Sequence, residues 1–435
     1  MQKKLLTLAV AGALAAPGLA QAQVEVYGLL GVTFGKWKYG DGTGGAQPSK
    51  SMWDVASNAS NIGVRARESL GGGLTGWAQV ETNASMERSN NIAHTSNFAS
   101  RNSAVGLEGS FGNVFAGQWV TPWTDLDALW SVGTVSVWGP SAAIIGRRET
   151  TGSAPNPNCA NNFSGNGGSP LPAGLATLTT TAQPTCESAE GLGGVGHPFF
   201  RRISNSIFYY TPVFAGAQVK LAYQTNQDKS TITVGPGGVA DPSMYSASVT
   251  WSGMGGRARV GAALDGHKDF TNVGKTDTGW KLSGGFNFGV ADIGASYETM
   301  TYKTATSDCD AKQYVLAFAI PIGQGAIRGA YAIAKDIEGA YTGAQTTAFT
   351  ATGSCGAVPT AAAPSNDNGA KQYNIGYDHR LSKRTQVGVG FAKIVNDPGA
   401  IFTWSGAPTT QAGQSVNPPA GSDPQSFFVS IIHRF

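Results

Sequence analysis

Apolar and polar residues alternate along most of this chain. A period of two gives a β-strand one apolar and one polar face. The clearest cases are the segments 257–264, 279–288, 290–298, 312–320 and 385–392. We count sixteen candidate strands, which begin near residues 24, 60, 74, 101, 112, 203, 216, 244, 256, 278, 290, 311, 325, 370, 384 and 426.

The connections between the candidate strands alternate in length. Short ones lie at 71–73, 110–112, 212–216, 253–256, 321–325 and 380–384, and long ones at about 39–59, 88–100, 120–202, 227–243, 268–277, 304–310, 337–369 and 397–425. This is the pattern of an up-and-down meander, and an even strand number suits a bacterial outer-membrane barrel. Only a closed barrel leaves no unpaired strand edge in hydrocarbon.

The predicted fold class is therefore all-β, a sixteen-stranded antiparallel transmembrane β-barrel with short periplasmic turns and long extracellular loops. A secreted soluble β-solenoid or sandwich is the alternative. Two observations disfavour it: we find no repeat of 20–50 residues, and aromatic residues such as Trp251, Trp280, Tyr297 and Phe435 cluster at strand ends on the apolar face.

The first 22 residues carry the features of a secretory signal peptide. Lys3 and Lys4 precede a short apolar run from Leu5 to Ala16, and small residues at 20–22 offer a cleavage site. We expect residues 1–22 to be removed during export and residues 23–435 to form the barrel. Localisation in the bacterial outer membrane follows from these two expectations.

Composition narrows the possible partners. The chain has 60 glycines in 435 residues and only 13% charged residues, and its formal charge of +3 includes Lys3 and Lys4. Such a small charge gives no reason to expect a nucleic-acid partner. The scattered histidines form no metal or catalytic cluster, so we expect no enzyme activity, no metal and no cofactor.

Four cysteines in an exported chain favour disulfides over a metal site. Cys159 and Cys186 share one long loop, whereas Cys309 and Cys355 lie in two others. Pairing within these two sets would staple loops, and the other two pairings stay open.

The chain resembles a known family, the trimeric sixteen-stranded general porins of beta-proteobacteria and Neisseria. The resemblance rests on segments in order along the chain: 24–32, 60–81, 105–118, 201–216, 377–392 and the closing 433–435. It implies a homotrimer of water-filled pores in outer-membrane lipid and lipopolysaccharide. It also implies that the third loop, about 121–200, folds into the lumen and narrows it.

The sequence departs from the family pattern at three places that touch the pore interior. Gln118 follows Gly117 where the family usually has arginine, and the third loop is unusually long with two cysteines. Phe208 and Ile432 stand where polar lumen residues are common.

Alternation selects candidate pore residues, because a porin acts through charged groups across a wet constriction. We predict a basic cluster of Arg65, Arg101 and Arg202, faced by Asp125 and Asp127 at the start of the third loop. Each of these charges could instead be a solvated rim charge or part of a subunit contact. Further possible pore-lining residues are Arg67, Gln118, Arg147, Arg148, Arg257, Arg259, Lys281 and Arg328.

The predicted function is a passive diffusion channel for small hydrophilic solutes and ions, with mild anion selectivity. The unusual third loop keeps open a selective uptake channel for small organic anions. An outer-membrane enzyme or an adhesin on a barrel scaffold is a more remote alternative. Trp119, Trp123, Trp130 and Trp138 surround the third loop, and we expect them to pack it against the wall, although they could stack on a solute.

Overall fold

The computed structural model describes most of the predicted barrel and the beginning of the third loop. The ranges described are 23–42, 49–57, 59–84, 86, 98–134, 139–145, 199–200, 202–225, 233–234, 238–239, 243–268, 274–303, 308–336, 338, 340–345, 349–354, 369–400, 402–404, 410–411, 414–415 and 421–435. The predicted signal peptide lies outside them.

Sixteen antiparallel strands close into a barrel, because the first strand pairs with the last. They are β1 (Gln23–Tyr39), β2 (Lys50–Ser57 and Asn61–Gly71), β3 (Leu74–Asn83), β4 (Ser103–Gly109), β5 (Gly112–Val120), β6 (Arg202–Tyr210), β7 (Ala217–Gln224), β8 (Ser243–Gly253), β9 (Ala258–Lys268), β10 (Thr276–Asn287), β11 (Asp292–Lys303), β12 (Asp308–Ile322), β13 (Gly325–Ala334), β14 (Ala370–Arg380), β15 (Thr385–Asn396) and β16 (Gln425–Arg434). The predicted fold class is confirmed, and the predicted strands match these strands in order, although β2 begins at Lys50 and not near residue 60.

Strand β2 consists of two segments that pair with the same side of β1. Between them the strand carries one extra residue relative to β1, which makes a β-bulge. The hydroxyl of Ser60 fills the gap, because it accepts from the amide of Gly31 at 3.0 Å and donates to the carbonyl of Gly31 at 2.9 Å.

The predicted long connection at 39–59 is wrong in its extent. Strand β1 continues to Tyr39, and Lys50–Ser57 is already strand. Lys36 and Lys38 occupy lipid-side positions here, so the apolar half of the alternation ends before the strand does. Three later long connections contain a short hairpin of their own: Thr233–Val234 with Gly238–Val239, Ala340–Gln345 with Phe349–Ser354, and Thr410–Gln411 with Gln414–Ser415.

The outer face of the barrel is apolar and carries an aromatic belt. Side chains such as Leu316 and Phe427 are more than half exposed, as a lipid-facing surface requires. Rings on neighbouring strands touch: Tyr297 lies 4.9 Å from both Trp280 and Tyr314, and Tyr331 lies 4.9 Å from Tyr373. Among the described residues, no helix is long and apolar enough to cross a membrane.

The inner face of β12 to β16 carries an apolar cluster that is covered by protein. Small residues such as Ala317, Ala332 and Ala392 are fully buried beneath Trp130 and the pair Ile144 and Ile145 of the third loop. Phe402 and Trp404 of the last loop complete this cluster, and Trp404 meets Trp37 of β1 at 5.6 Å. Two loops therefore pack inside the barrel on one side of the lumen.

Candidate functional site

Residues 121–134 of the third loop run along the inner wall of the barrel. We call this segment the third-loop track. It starts with the short helix α1 (Pro122–Asp125), which Thr121 caps by accepting from the amide of Thr124 at 3.2 Å. Proline at the first helical position has no amide that needs a partner there.

Wall side chains hold the backbone of the third-loop track. Arg259 of β9 donates to the carbonyl of Leu129, and Arg328 of β13 donates to the carbonyl of Val132, both at 2.6 Å. Asn374 of β14 donates to the carbonyl of Gly133 at 2.9 Å. The track therefore follows the wall from β9 to β14 in strand order.

Two ion pairs fix the side chains of the track. Asp127 pairs with Lys281 of β10, and it also accepts from Trp130 Nε1 and Ser141 Oγ, each at 3.0 Å. Asp125 pairs with Lys220 of β7. Lys281 has no exposed surface, so Asp127 and Lys281 lie at the contact between loop and wall.

Glycines on the wall make room for the track. A Cβ atom at Gly294 would lie 2.4 Å from the carbonyl oxygen of Trp130, and one at Gly261 would lie 2.8 Å from Leu129 Cδ1. Likewise, a Cβ atom at Gly133 of the track would lie 2.1 Å from the carbonyl oxygen of Gly329. Close backbone approach is what glycine permits.

The wall opposite the track carries the predicted basic residues. Arg65 and Arg67 of β2 face the lumen with about half of each side chain exposed, and they pair with Glu25 at 2.8 Å and Glu108 at 2.6 Å. Arg101 pairs with Glu81 and donates to Asn83 at 3.2 Å.

Arg202 lies on the same wall but is nearly buried, with 3% of the residue exposed. Its Nε donates to Asn102 Oδ1 at 2.7 Å, and the same oxygen accepts from the amide of Val120 at 3.3 Å. This arrangement ties β6 to the end of β5, where the third loop leaves the wall.

On the same wall, five aromatic rings form a continuous patch on the inner face of β3, β5 and β6. Phe115 is at its centre, 5.3 Å from Trp77, 5.3 Å from Trp119, 4.8 Å from Phe208 and 5.1 Å from Tyr210. We call these five residues the aromatic platform. Phe115 and Phe208 are buried, whereas the other three rings are partly exposed. Phe208 thus stands at a lumen position because it stacks on Phe115.

A glycine allows the platform to form. A Cβ atom at Gly106 of β4 would lie 2.6 Å from Phe115 Cβ and 2.7 Å from Trp77 Cε2. The rings of β3 and β5 meet across β4 because β4 has no side chain at that position.

The remaining predicted residues have varied positions. Gln118 donates to the carbonyl of Arg101 at 3.4 Å, on the wall beside Trp119. Arg257 lies in the short turn between β8 and β9, where its guanidinium lies 5.6 Å from the ring of Phe286. Ile432 is 9% exposed on the inner face of β16, paired with Gly31 and Gln386.

Several predicted residues cannot be placed. Arg147, Arg148, Trp138, Cys159, Cys186 and Cys355 lie outside the described residues, and of Cys309 only the backbone, in β12, is described. Among the residues that are described, no group of three or more His, Cys, Asp or Glu side chains could hold a metal ion.

A closed sixteen-stranded barrel with a loop packed along the inside of its wall is the frame of a channel, and comparison with known proteins decides the family. Residues 7–399 match the model of the family described as Gram-negative porin. The chain belongs to the Gram-negative porin family. It is a channel protein of the bacterial outer membrane, as the resemblance of its sequence segments implied.

Relatives of this porin cover different shares of it. Outer membrane porin protein 32 of Delftia acidovorans is 24% identical over 91% of this chain and 90% of its own. Major outer membrane protein P.IB of Neisseria gonorrhoeae is 34% identical, but over 29% of this chain and 35% of its own.

Solved structures share the porin's fold. An anion-selective porin from Comamonas acidovorans has a TM-score of 0.58 at 21% identity, and covers 95% of this chain and 100% of its own. The trimer form of OmpT from Vibrio cholerae has a TM-score of 0.54 at 14% identity, with 95% and 99% covered.

Sequence reasoning did not find the acidic partners Glu25, Glu81 and Glu108, nor the platform residues Trp77, Phe115 and Tyr210. Parity could have placed the glutamates on the inner face, since they alternate with lipid-facing residues. The platform was harder to find, because an aromatic residue in a barrel strand is more often lipid-facing. The signal that could have found it is Gly106, a glycine that pairs with Trp77 and lies on a strand between two strands with inward-facing aromatic residues.

Proposed function

We propose that this porin is a passive diffusion channel for small hydrophilic solutes and ions with a modest preference for anions. The observation that carries the preference is the position of the third-loop acids. Asp127 and Asp125 each form an ion pair with a lysine of the wall. The opposite wall keeps Arg65 and Arg67 half-exposed.

The preference is modest because the positive and negative charges on this wall nearly cancel. Arg65, Arg67 and Arg101 each have a glutamate partner. In 0.1 M salt, the effect of an exposed charge is largely screened beyond about 10 Å. The neighbour from Comamonas acidovorans is named an anion-selective porin, and we extend that property to this chain because of its charge pattern.

The zero-current potential of single channels in a potassium chloride gradient tests this proposal. We expect a potential of the sign that chloride preference produces, and a shift toward cation preference in the double variant Arg65→Gln, Arg67→Gln. Lys371→Gln is the matched control, because this lysine lies on the outer face of β14. Clear cation preference in the wild-type channel contradicts the anion preference, and no conductance contradicts the channel.

A second candidate function is selective uptake of small organic anions. The aromatic platform favours it, since a plain aqueous pore has no need of partly exposed aromatic rings in its lumen. Saturation of the current by an organic anion at millimolar concentration, with chloride current still linear, would support selective uptake over simple diffusion.

We further propose that residues 1–22 are cleaved on export, that residues 23–435 form one barrel domain, and that the barrel assembles as a homotrimer in lipid and lipopolysaccharide. The trimer form of OmpT shares the fold. We also propose two loop disulfides, with Cys159–Cys186 and Cys309–Cys355 as the first pairing to test. Mass spectrometry of the purified protein, digested without reduction, would identify the mature N-terminus and the bridges.

A further inference from the structure

The aromatic platform lies on the inner face of the wall and is partly exposed, and this position needs an explanation. Its three partly exposed rings, Trp77, Trp119 and Tyr210, come from three different strands. Trp77 and Trp119 lie 5.9 Å apart at an interplanar angle of 68°, an edge-to-face pair that is partly exposed. Aromatic rings exposed to water gain when a second planar ring packs on them.

A positive charge lies at each side of the platform. Arg67 lies opposite Trp77 in the pairing of β2 with β3, so both side chains project from the same face of the sheet. On the far side, Lys220 Nζ lies 4.9 Å from the ring centre of Tyr210. The platform therefore combines flat apolar surface with cations at its margins.

Arg67 retains hydrogen-bond capacity for a ligand. Its ion pair with Glu108 uses Nη2, and half of its side chain is in solvent. A guanidinium carries five N–H donors, so a second carboxylate can bind without displacing the first.

We propose that the aromatic platform and Arg67 form a binding site for small aromatic carboxylates on their way through the channel. The aromatic ring packs on Trp77 and Trp119, and the carboxylate accepts from Arg67. This inference rests on the proposed channel function and specifies its solute class. Lys220, on the far side beside Tyr210, is already paired with Asp125 of the third-loop track.

The polar groups beside the platform favour an aromatic acid over a sugar. A sugar needs several neutral donors and acceptors around the ring, but Asn113 Oδ1 already accepts from Trp77 Nε1 at 2.9 Å. Gln79 donates to the carbonyl of Asn102 at 2.9 Å. What remains beside the rings is the guanidinium of Arg67, paired with Glu108, whose other N–H groups suit a carboxylate.

The test is current block of the full-length porin in planar lipid bilayers, with benzoate, cyclohexanecarboxylate, acetate and glucose as probes. We expect benzoate to half-block the current at a concentration about two- to ten-fold below that of cyclohexanecarboxylate, which is the range that an aromatic contact adds beyond buried area. Acetate and glucose should leave the current unchanged at the same concentrations. This comparison needs no variant.

Variants then locate the site. Trp119→Leu should remove the advantage of benzoate over cyclohexanecarboxylate, and Arg67→Gln should weaken block by both acids. Trp280→Leu is the matched control, because Trp280 lies on the outer face of β10. Channel conductance in potassium chloride verifies that each variant is folded.

Two outcomes overturn the site while leaving the channel in place. One is equal block by benzoate and cyclohexanecarboxylate in a conducting wild-type channel, and the other is stronger block by glucose than by benzoate. A Trp119→Leu channel that still prefers benzoate likewise overturns the assignment to the platform. Absence of any conductance, by contrast, contradicts the proposed channel function itself.

Discussion

Lys281 illustrates how much a single buried charge can determine in this porin. It has no exposed surface, and it contacts the carboxylates of Asp127 and, at 3.3 Å, Glu298. A lysine between two acids neutralises one negative charge: Lys281 donates to Asp127 and forms an ion pair with Glu298. Without it, two buried carboxylates would lie close together in a site with little access to water.

Replacing this lysine should therefore release the loop. We expect Lys281→Met to destabilise the folded porin by about 3–5 kcal/mol, the usual cost of breaking a buried ion pair from one side. Thermal loss of the β-sheet circular dichroism signal, together with protease sensitivity of the third loop, measures the effect. Lys371→Met, on the outer face of β14, is the control and should behave as wild type. Equal stability of the two variants would contradict the anchoring role.

Gly294 is the residue on which the position of the track depends most directly. Its missing side chain leaves space for the carbonyl of Trp130, which lies 2.4 Å from where a Cβ atom would be. We expect Gly294→Ala to push the track toward the lumen and lower single-channel conductance. Gly76→Ala is the control, since its Cβ would meet only the flexible end of Leu70 at 3.4 Å. Unchanged conductance in Gly294→Ala would show that the loop can move aside.

At the scale of elements, the strands were predictable and the path of the third loop was not. Alternation placed all sixteen strands in order, with only the start of β2 missed, because each strand has to satisfy lipid on one face whatever lies inside. It also predicted that Arg259, Lys281 and Arg328 point inward. Their bonding to the third-loop track depends on how about 80 loop residues fold, and no local pattern encodes that.

The two arginine clamps define how firmly the track is held. Arg259 and Arg328 each donate to a loop carbonyl at 2.6 Å, on strands separated by three others. We expect the double variant Arg259→Gln, Arg328→Gln to show larger current noise and higher mean conductance, because the track loses two charge-assisted hydrogen bonds. Single-channel recording measures both quantities. Arg257→Gln, in the short turn between β8 and β9, is the control. Unchanged current noise in the double variant would contradict the role of these two arginines in holding the track.

The whole molecule is closed by the pairing of its two ends. Strand β16 runs antiparallel to β1, with Lys38 opposite Gln425 at one end of the seam and Leu29 opposite Arg434 at the other. Beyond Leu29 the last residue continues the seam, because Phe435 and Gly28 exchange two backbone hydrogen bonds of 3.1 and 3.2 Å. The seam therefore extends to the final residue of the chain.

The side chain of Phe435 also contributes to closure. A Cβ atom at Gly28 would lie 2.5 Å from Phe435 Cζ, so the ring covers the glycine of the first strand. The alternation of β16 predicted this strand and its lipid-facing residues. Its hydrogen bonds to Gly28 could not be predicted, since they depend on how the two ends of the chain meet in the closed barrel.

Deletion of Phe435 should impair assembly more than it impairs conductance. The truncated chain leaves the amide and carbonyl of Gly28 without their partners, and each unmade buried bond costs about 1–3 kcal/mol. Folded yield is measured by refolding into detergent and separating folded from unfolded chains by electrophoresis. The channels that do form from the truncated chain should conduct normally, because Phe435 lies outside the lumen.

Two further variants separate the backbone bonds of Phe435 from its ring. Phe435→Ala keeps both bonds and loses only the ring, so its folded yield should fall between those of the truncated chain and the wild type. Phe427→Ala, elsewhere on the outer face of β16, is the control for loss of an exposed ring. A truncated chain that folds as well as wild type would contradict the role of the terminal residue in closing the barrel.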